Sequence, residues 1–427
     1  MSDQDTSEIR AARQELDEVI DEIRAVPGFE RFLAPPTFHD IAVVATEAPI
    51  VYLAAADPGG VALVVSGQDV RSVDLPELSA DALRTEVERH LAAYTAYREA
   101  PDRRRDAWSA SLDEICAWLW TTTMGPVLGA LAGAPAATLV AGGLLGLLPL
   151  HAAWTPDASQ PTGRRHALDD LTLNYAPNAR ALAAARAIAT DTPASRLLAV
   201  IDPRPVTGSP LPWAVVEGAA ATAAFGGEST SLVGGAATRR NVLRAIADAD
   251  VLHLACHGYA DLVTPLDSGL RLAGNHDVTL RDLMTMPLRV RLAVLSACET
   301  SLPGTALPDE VVALPTGLLQ AGVAGVIASL WAVPDRSTAM LMTDFHRRWR
   351  DAPARPPQDV LREAQRWLRD TTNDEKREAW IALQTGGPQW LPPSVTKDFI
   401  RALDYRDPDA RDQAAIRAWG AFTHIGA

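Results

Sequence analysis

Two short runs end an apolar stretch on a reactive side chain: Leu252-His253-Leu254-Ala255-Cys256-His257-Gly258 and Val294-Leu295-Ser296-Ala297-Cys298-Glu299-Thr300. Each apolar part has the length of a buried strand. Residues 258–297 leave ample chain for the crossover that joins parallel strands, which takes a dozen residues or more. In open α/β sheets, functional groups gather beyond the carboxyl ends of the strands. Two neighbouring strands ending there would set the His257 imidazole beside the Cys298 thiol. A cysteine nucleophile needs that arrangement, because the thiolate is the reactive form and a nearby base must hold it. Taken singly, a strand-end cysteine is more often an inert small hydrophobe, and a strand-end histidine is more often structural. The pairing carries the reading, and Gly258 lets the backbone turn sharply after the histidine.

Other chemistries lack their residues. There is no GxxxxGK[ST] phosphate loop and no GxSxG elbow. Gly142-Gly143 and Gly226-Gly227 read as turns. No CxxC pair or histidine cluster has metal-ligand spacing, so neither a metal nor another cofactor is expected. His253 stands four residues before His257, but on a strand that separation is too long for one metal, which assigns His253 to sheet packing. Cys256 precedes His257 directly, points to the opposite face and reads as core. His276, His346 and His424 carry no second motif and read as structural or exposed.

The 427 residues are 48% hydrophobic and 22% charged, the composition of an ordinary globular protein with room for two or three units. A net charge of −14 argues against nucleic-acid binding, which normally shows a basic footprint. The three cysteines, Cys116, Cys256 and Cys298, form no disulfide framework and suit a reducing compartment. Met1 to Glu8 is polar and acidic, without the apolar stretch of a signal peptide, so a cytoplasmic location is expected. Ala117 to Pro156 holds no Asp, Glu, Lys or Arg. Its Gly and Pro residues cut it into lengths that suit a buried helix and strand rather than a membrane span.

Residues 5 to 25 read as an amphipathic helix, with Ile9, Ala12, Leu16, Val19, Ile20 and Ile23 at helical spacing. Val51 to Ala55 and Val61 to Val65 flank Asp57-Pro58-Gly59-Gly60, a hairpin signature. A helix over about 79–98 has Ser79 as its cap. Pro156 to Arg165 is polar and divides a helix-and-hairpin unit, 1–155, from a second unit, 156–427. In that second unit strands and helices alternate. Strands are expected at Leu197 to Ile201, Thr230 to Val233, Val251 to Ala255, Leu292 to Ala297 and Gly325 to Leu330. Helices are expected at Val215 to Phe225, Arg239 to Ala247, Leu280 to Met284, Val311 to Gln320 and Ser337 to Arg350. Such alternation implies an α/β fold with a mostly parallel sheet covered on both faces. Pro353 to Asp412 reads as a polar tail that returns to the sheet at Ala418 to Ile425. No internal repeat is present. Asp309, Glu310 and Asp335 sit where helices begin. They read either as first-turn acids or as carboxylates of a substrate pocket.

Ala255-Cys256-His257-Gly258, Leu270-Arg271-Leu272, Leu280-Arg281-Asp282-Leu283, Ser296-Ala297-Cys298-Glu299-Thr300, Asp309-Glu310, Leu318-Leu319-Gln320-Ala321-Gly322-Val323 and Ser329-Leu330-Trp331 follow one another in that order. The series resembles the CHAT branch of the caspase-like cysteine peptidases, which is also similar to separase. It is densest from about residue 195 to 350. The resemblance implies a caspase-like α/β/α sandwich and a Cys298/His257 dyad with no third member. It further implies an oxyanion hole from the backbone N–H groups of Gly258 and Cys298. Ser329, Leu330 and Trp331 would pair with an extended substrate, and Asp309, Glu310 or Asp335 would line the pocket before the scissile bond. The expected function is a cysteine endopeptidase acting on a specific protein substrate, regulated by an activating protein partner, without membrane association, in prokaryotic defence or cell death. The alternative is a non-catalytic caspase-like scaffold.

Overall fold

The computed structural model describes the chain except residues 1–2, 31, 209, 226–227, 260, 262–263, 297–313 and 386–389. The leading unit opens with helices α1 (Asp3–Arg24) and α2 (Phe38–Val44), followed by strands β1 (Ile50–Ala54), β2 (Gly60–Ser66) and β3 (Asp69–Leu75). β1 and β2 form the expected hairpin, and β3 extends it into an antiparallel meander. Helix α3 (Ala80–Glu99) begins at Ser79, whose hydroxyl accepts the Ala82 N–H at 3.1 Å. The uncharged segment folds as the end of α4 (Pro101–Leu119), α5 (Gly125–Ala130) and the buried strand β4 (Ala136–Ala141). No helix among the described residues is long and apolar enough to cross a membrane.

A small hairpin, β5 (Trp154–Pro156) and β6 (Arg164–His166), flanks the polar loop, and α6 (Ala167–Asp170) leads into β7 (Thr172–Tyr175). Alternation then proceeds through α7 (Ala179–Asp191), β8 (Leu197–Ile201), α8 (Pro212–Phe225), β9 (Ser229–Val233), α9 (Arg239–Ile246) and β10 (Val251–Ala255). Beyond β10, strands β11 (His257–Tyr259), β12 (Gly269–Arg271) and β13 (Val278–Thr279) make a separate three-stranded sheet. The chain continues through α10 (Leu280–Met284), β14 (Val290–Leu295), α11 (Leu314–Ala321), β15 (Val323–Ser329) and α12 (Asp335–Asp351). The stretch expected to be a polar tail instead forms α13 (Pro357–Asp370), α14 (Asn373–Thr385) and α15 (Pro393–Leu403). A short α16 (Ile416–Trp419) precedes the last strand, β16 (Phe422–Gly426).

Eleven of these strands share one sheet, in the order β3-β2-β1-β4-β7-β16-β15-β14-β10-β8-β9. It consists of two parallel blocks of opposite direction. β1, β4, β7 and β16 run one way, while β15, β14, β10, β8 and β9 run the other, and the turnover lies between β16 and β15. Apart from the edge strand β9, the second block is apolar on both faces, as parallel strands covered by helices must be. Ala199, Val251, Leu292 and Ile327 face the core shared with α8 and α12. Leu198, Leu252, Leu254, Ala293 and Val326 face the core shared with α9, α10 and α11. Helix α8 sits tightly on β8 at Gly218, where a Cβ would fall 2.3 Å from Ile201 Cδ1.

Candidate active site

β10 and β14 are hydrogen-bonded parallel neighbours, in register from Val251 opposite Leu292 to Leu254 opposite Leu295. Their carboxyl ends therefore leave the sheet side by side. The first runs through Cys256 into His257, and the second through Ser296 toward Cys298. Cys298, Asp309 and Glu310 lie outside the described residues.

His257 opens β11, where it stands opposite Arg271 and Gly258 opposite Leu270. That antiparallel pairing fixes the histidine's backbone just above the sheet edge. Cys256 is 1% exposed and belongs to the core on the α9–α11 face.

The loop after β8 crosses over the histidine. Asp202 N–H donates to the Ala255 carbonyl at 2.9 Å. Pro205 accepts the Gly274 N–H at 2.8 Å, and Thr207 N–H donates to Asn275 Oδ1 at 2.6 Å. Tied at these points, the loop lays Gly208 against the imidazole. A Cβ at this position would lie 2.8 Å from His257 Nε2, and its φ of +152° falls in the region that favours glycine.

On the α8 and α12 side of the strand ends is a crevice of about 30 Å³, bordered by Glu217, Cys256, Ser296, Ser329, Asp335 and Thr338. Asp335 is the first residue of α12, and its Oδ2 accepts the Trp213 N–H at 2.9 Å. Burial, followed by repulsion from Glu217 and Asp202, pushes its carboxyl up to about 6. Asp335 is thus a first-turn acid that also lines a cavity. Glu217 is 1% exposed, with Oε1 3.1 Å from His253 Nε2 but outside hydrogen-bond alignment. His253 Nδ1 in turn lies 3.1 Å from His346 Nε2. Burial, with His253 alongside, holds His346 well below the usual imidazole range and hence neutral. His253 thus belongs to a buried polar chain behind the site and does more than fill the sheet. Ser296 Oγ is buried with no hydrogen-bond partner among the described residues.

Ser329 ends β15 and reaches the crevice, whereas Leu330 and Trp331 are 5% and 1% exposed. Leu330 N–H is committed to the Ala421 carbonyl at 3.0 Å, which leaves less of this segment open to an incoming strand than expected. Gly208 and Glu217 were not anticipated. The signal for Glu217 was present, as a lone acid within the apolar run Ala214-Val215-Val216-Glu217-Gly218-Ala219-Ala220. Nothing local marks Gly208.

Comparison with known proteins agrees with this architecture. The Saccharomyces cerevisiae separase–securin complex is similar in fold, with a TM-score of 0.51 and 9% identity, covering 91% of this chain and 30% of that one. A second structure of that complex gives 0.50 and 9%, over 76% and 29%. The chain thus spans about three-tenths of the separase chain's length. The Arg specific cysteine proteinase gingipain R aligns at a TM-score of 0.39 and 8% identity, over 74% of this chain and 67% of that one. No curated protein matches. Residues 113–427, well over half of the sequence, match the CHAT domain model, and the chain belongs to the CHAT domain family, with a caspase-like fold.

Proposed function

We propose that the protein is a cysteine endopeptidase in which Cys298 is the nucleophile and His257 the acid–base partner. The adjacency of β10 and β14 carries this reading, since it brings the two motif-bearing chain segments off one sheet edge together. The Cys298 thiolate attacks the scissile carbonyl, and the oxyanion is held by the N–H groups of Gly258 and Cys298. The tetrahedral intermediate collapses as His257 gives its proton to the leaving amine. Water, deprotonated by the same imidazole, then attacks the thioester, expelling the Cys298 thiolate and restoring the thiolate–imidazolium pair. In this proposal residues 156–427 form the catalytic unit and 1–155 its flanking unit.

The residue before the scissile bond is proposed to be basic, Arg before Lys. Asp335 and Glu217 bring two carboxylates to the crevice, and a carboxylate grips a guanidinium through two parallel hydrogen bonds. Ser329 would meet the substrate backbone at the crevice mouth. A protein substrate, a regulatory partner, a cytoplasmic setting and a role in defence or cell death complete the proposal. The separase structures, solved as complexes with securin, lend support to a partner.

The test is a three-variant digest with a peptide library. Cys298→Ala and His257→Ala abolish cleavage with the fold retained, and Cys256→Ala, which removes one buried sulfur bordering the crevice, leaves it largely intact. A thiol-reactive peptide probe that labelled Cys256 and spared Cys298 would overturn the assignment.

A further inference from the structure

The first helix presents apolar side chains to water in a regular order. Ala12, Leu16, Val19, Ile23 and, one turn past the helix, Val26 follow at spacings of 4, 3, 4 and 3. Leu16, Val19 and Val26 are 56%, 46% and 49% exposed, so this stripe is not spent on the protein's own core. Alternating threes and fours are the spacing of a coiled-coil seam rather than of a helix lying on a globular core.

The residues beside the seam narrow down what can cover it. Glu15 and Glu22 border one side, Arg13 and Ile20 the other, and Asp17, Glu18 and Asp21 occupy the back. Helices that lie on membranes carry Lys and Arg on the polar face, and here the helix sequence has eight acids to three arginines, Arg10, Arg13 and Arg24. A second copy of this chain fits little better. Antiparallel self-pairing sets Glu15 against Glu22, and parallel self-pairing sets Glu15 against Ile20. Neither sets Glu15 or Glu22 against a basic residue.

We infer that α1 is a docking helix for a partner helix with an apolar seam and basic flanks, whose Lys or Arg residues meet Glu15 and Glu22. Charges beside a coiled-coil seam set partner choice. The site is separate from the crevice and stands whether or not the protein is a peptidase.

The experiment uses the full chain and two labelled synthetic helices of about four heptads with Leu and Ile seams, one with Lys at both flanking positions and one with Glu. Fluorescence anisotropy is expected to show the Lys helix binding at least about tenfold tighter than the Glu helix. Leu16→Asp removes that binding, with circular dichroism unchanged because the position faces solvent. Glu15→Lys combined with Glu22→Lys inverts the preference between the two helices, a gain that misfolding cannot produce. Equal binding of both helices, or none, overturns the proposal. So does a concentration-dependent dimer abolished by Leu16→Asp, which assigns the seam to a second copy. Flotation with phosphatidylcholine–phosphatidylglycerol vesicles lost in the same variant overturns it in favour of a membrane.

Discussion

Gly208 fills the space directly against the His257 ring, so close that a single added methyl would fall 2.8 Å from Nε2. Gly208 belongs to the loop after β8, held by hydrogen bonds from Asp202 and Thr207, whereas His257 opens β11 directly beyond β10. Gly208→Ala must move either the ring or the loop. Misplacing a catalytic group by about 1 Å can cost on the order of a hundredfold in rate. We expect cleavage by Gly208→Ala to fall at least about tenfold with the melting temperature little changed, since Gly208 is exposed. The pH dependence of Cys298 alkylation should shift upward in parallel, because a displaced imidazolium no longer stabilises the thiolate. An unchanged alkylation profile beside lost cleavage would place the effect elsewhere.

Asp335 predicts a pH dependence for basic substrates. Its carboxyl, raised to about 6, is neutral below that pH and ionised above it. A guanidinium is held by the ionised form, so KM for Arg substrates should fall as pH rises through about 6. In Asp335→Asn that inflection disappears while kcat at pH 8 is retained. Steady-state kinetics on an Arg peptide between pH 5 and 8 read both quantities.

Buried histidines make the fold acid-sensitive. Burial holds His90 and His151 at about 4 and His424 at about 3. In the unfolded chain each takes up a proton near its ordinary 6.5. Above that pH both states are neutral and no stability is lost. Below it the unfolded state binds more protons, and stability falls by up to about 1.4 kcal/mol per pH unit for each histidine until its folded value is reached. Urea midpoints should decline steadily from pH 7.5 to 5. His151→Gln should flatten that decline by one proton's worth, whatever it does to stability at pH 7.5.

Asn174 pins the strand that joins the two blocks of the sheet. Its Nδ2 donates to the Gly426 carbonyl at 2.6 Å, and its Oδ1 receives the Nδ1–H of neutral His424 at 2.8 Å. Asn174→Leu strands two buried polar groups, at about 1–3 kcal/mol each. The urea midpoint should drop accordingly, and hydrogen exchange at β16 should accelerate before exchange at β10.

The second block was legible because its central strands are buried on both faces. Leu197 to Ile201 is an unbroken apolar run, Val251 to Ala255 is interrupted only by His253, and both have the boundaries expected of them. Strand β3 escaped notice because most of its residues face water at the sheet edge, leaving no apolar alternation to read. The helices α13 and α15 were mistaken for tail because of Pro356-Pro357 and Pro392-Pro393. In each pair the second proline is the first helical residue, where its missing N–H costs nothing. Chain order foretold that β10 and β14, the strands leading to His257 and toward Cys298, would be neighbours. It could not foretell Gly208, whose role depends on how closely two segments pass in space.

The position of β16 bears on when the whole sheet can come into being. Residues 422–426 lie between β7 and β15, and they meet β7 through a single ladder pair, Ile425 with Tyr175, reinforced by Asn174. Until those residues have been synthesised, the sheet exists only as two unjoined halves, each with a raw edge where the other belongs. A nascent chain therefore makes β10 and β14 well before the strand that closes the gap between β7 and β15. The order of synthesis leaves the joining of the two halves to the last strand described.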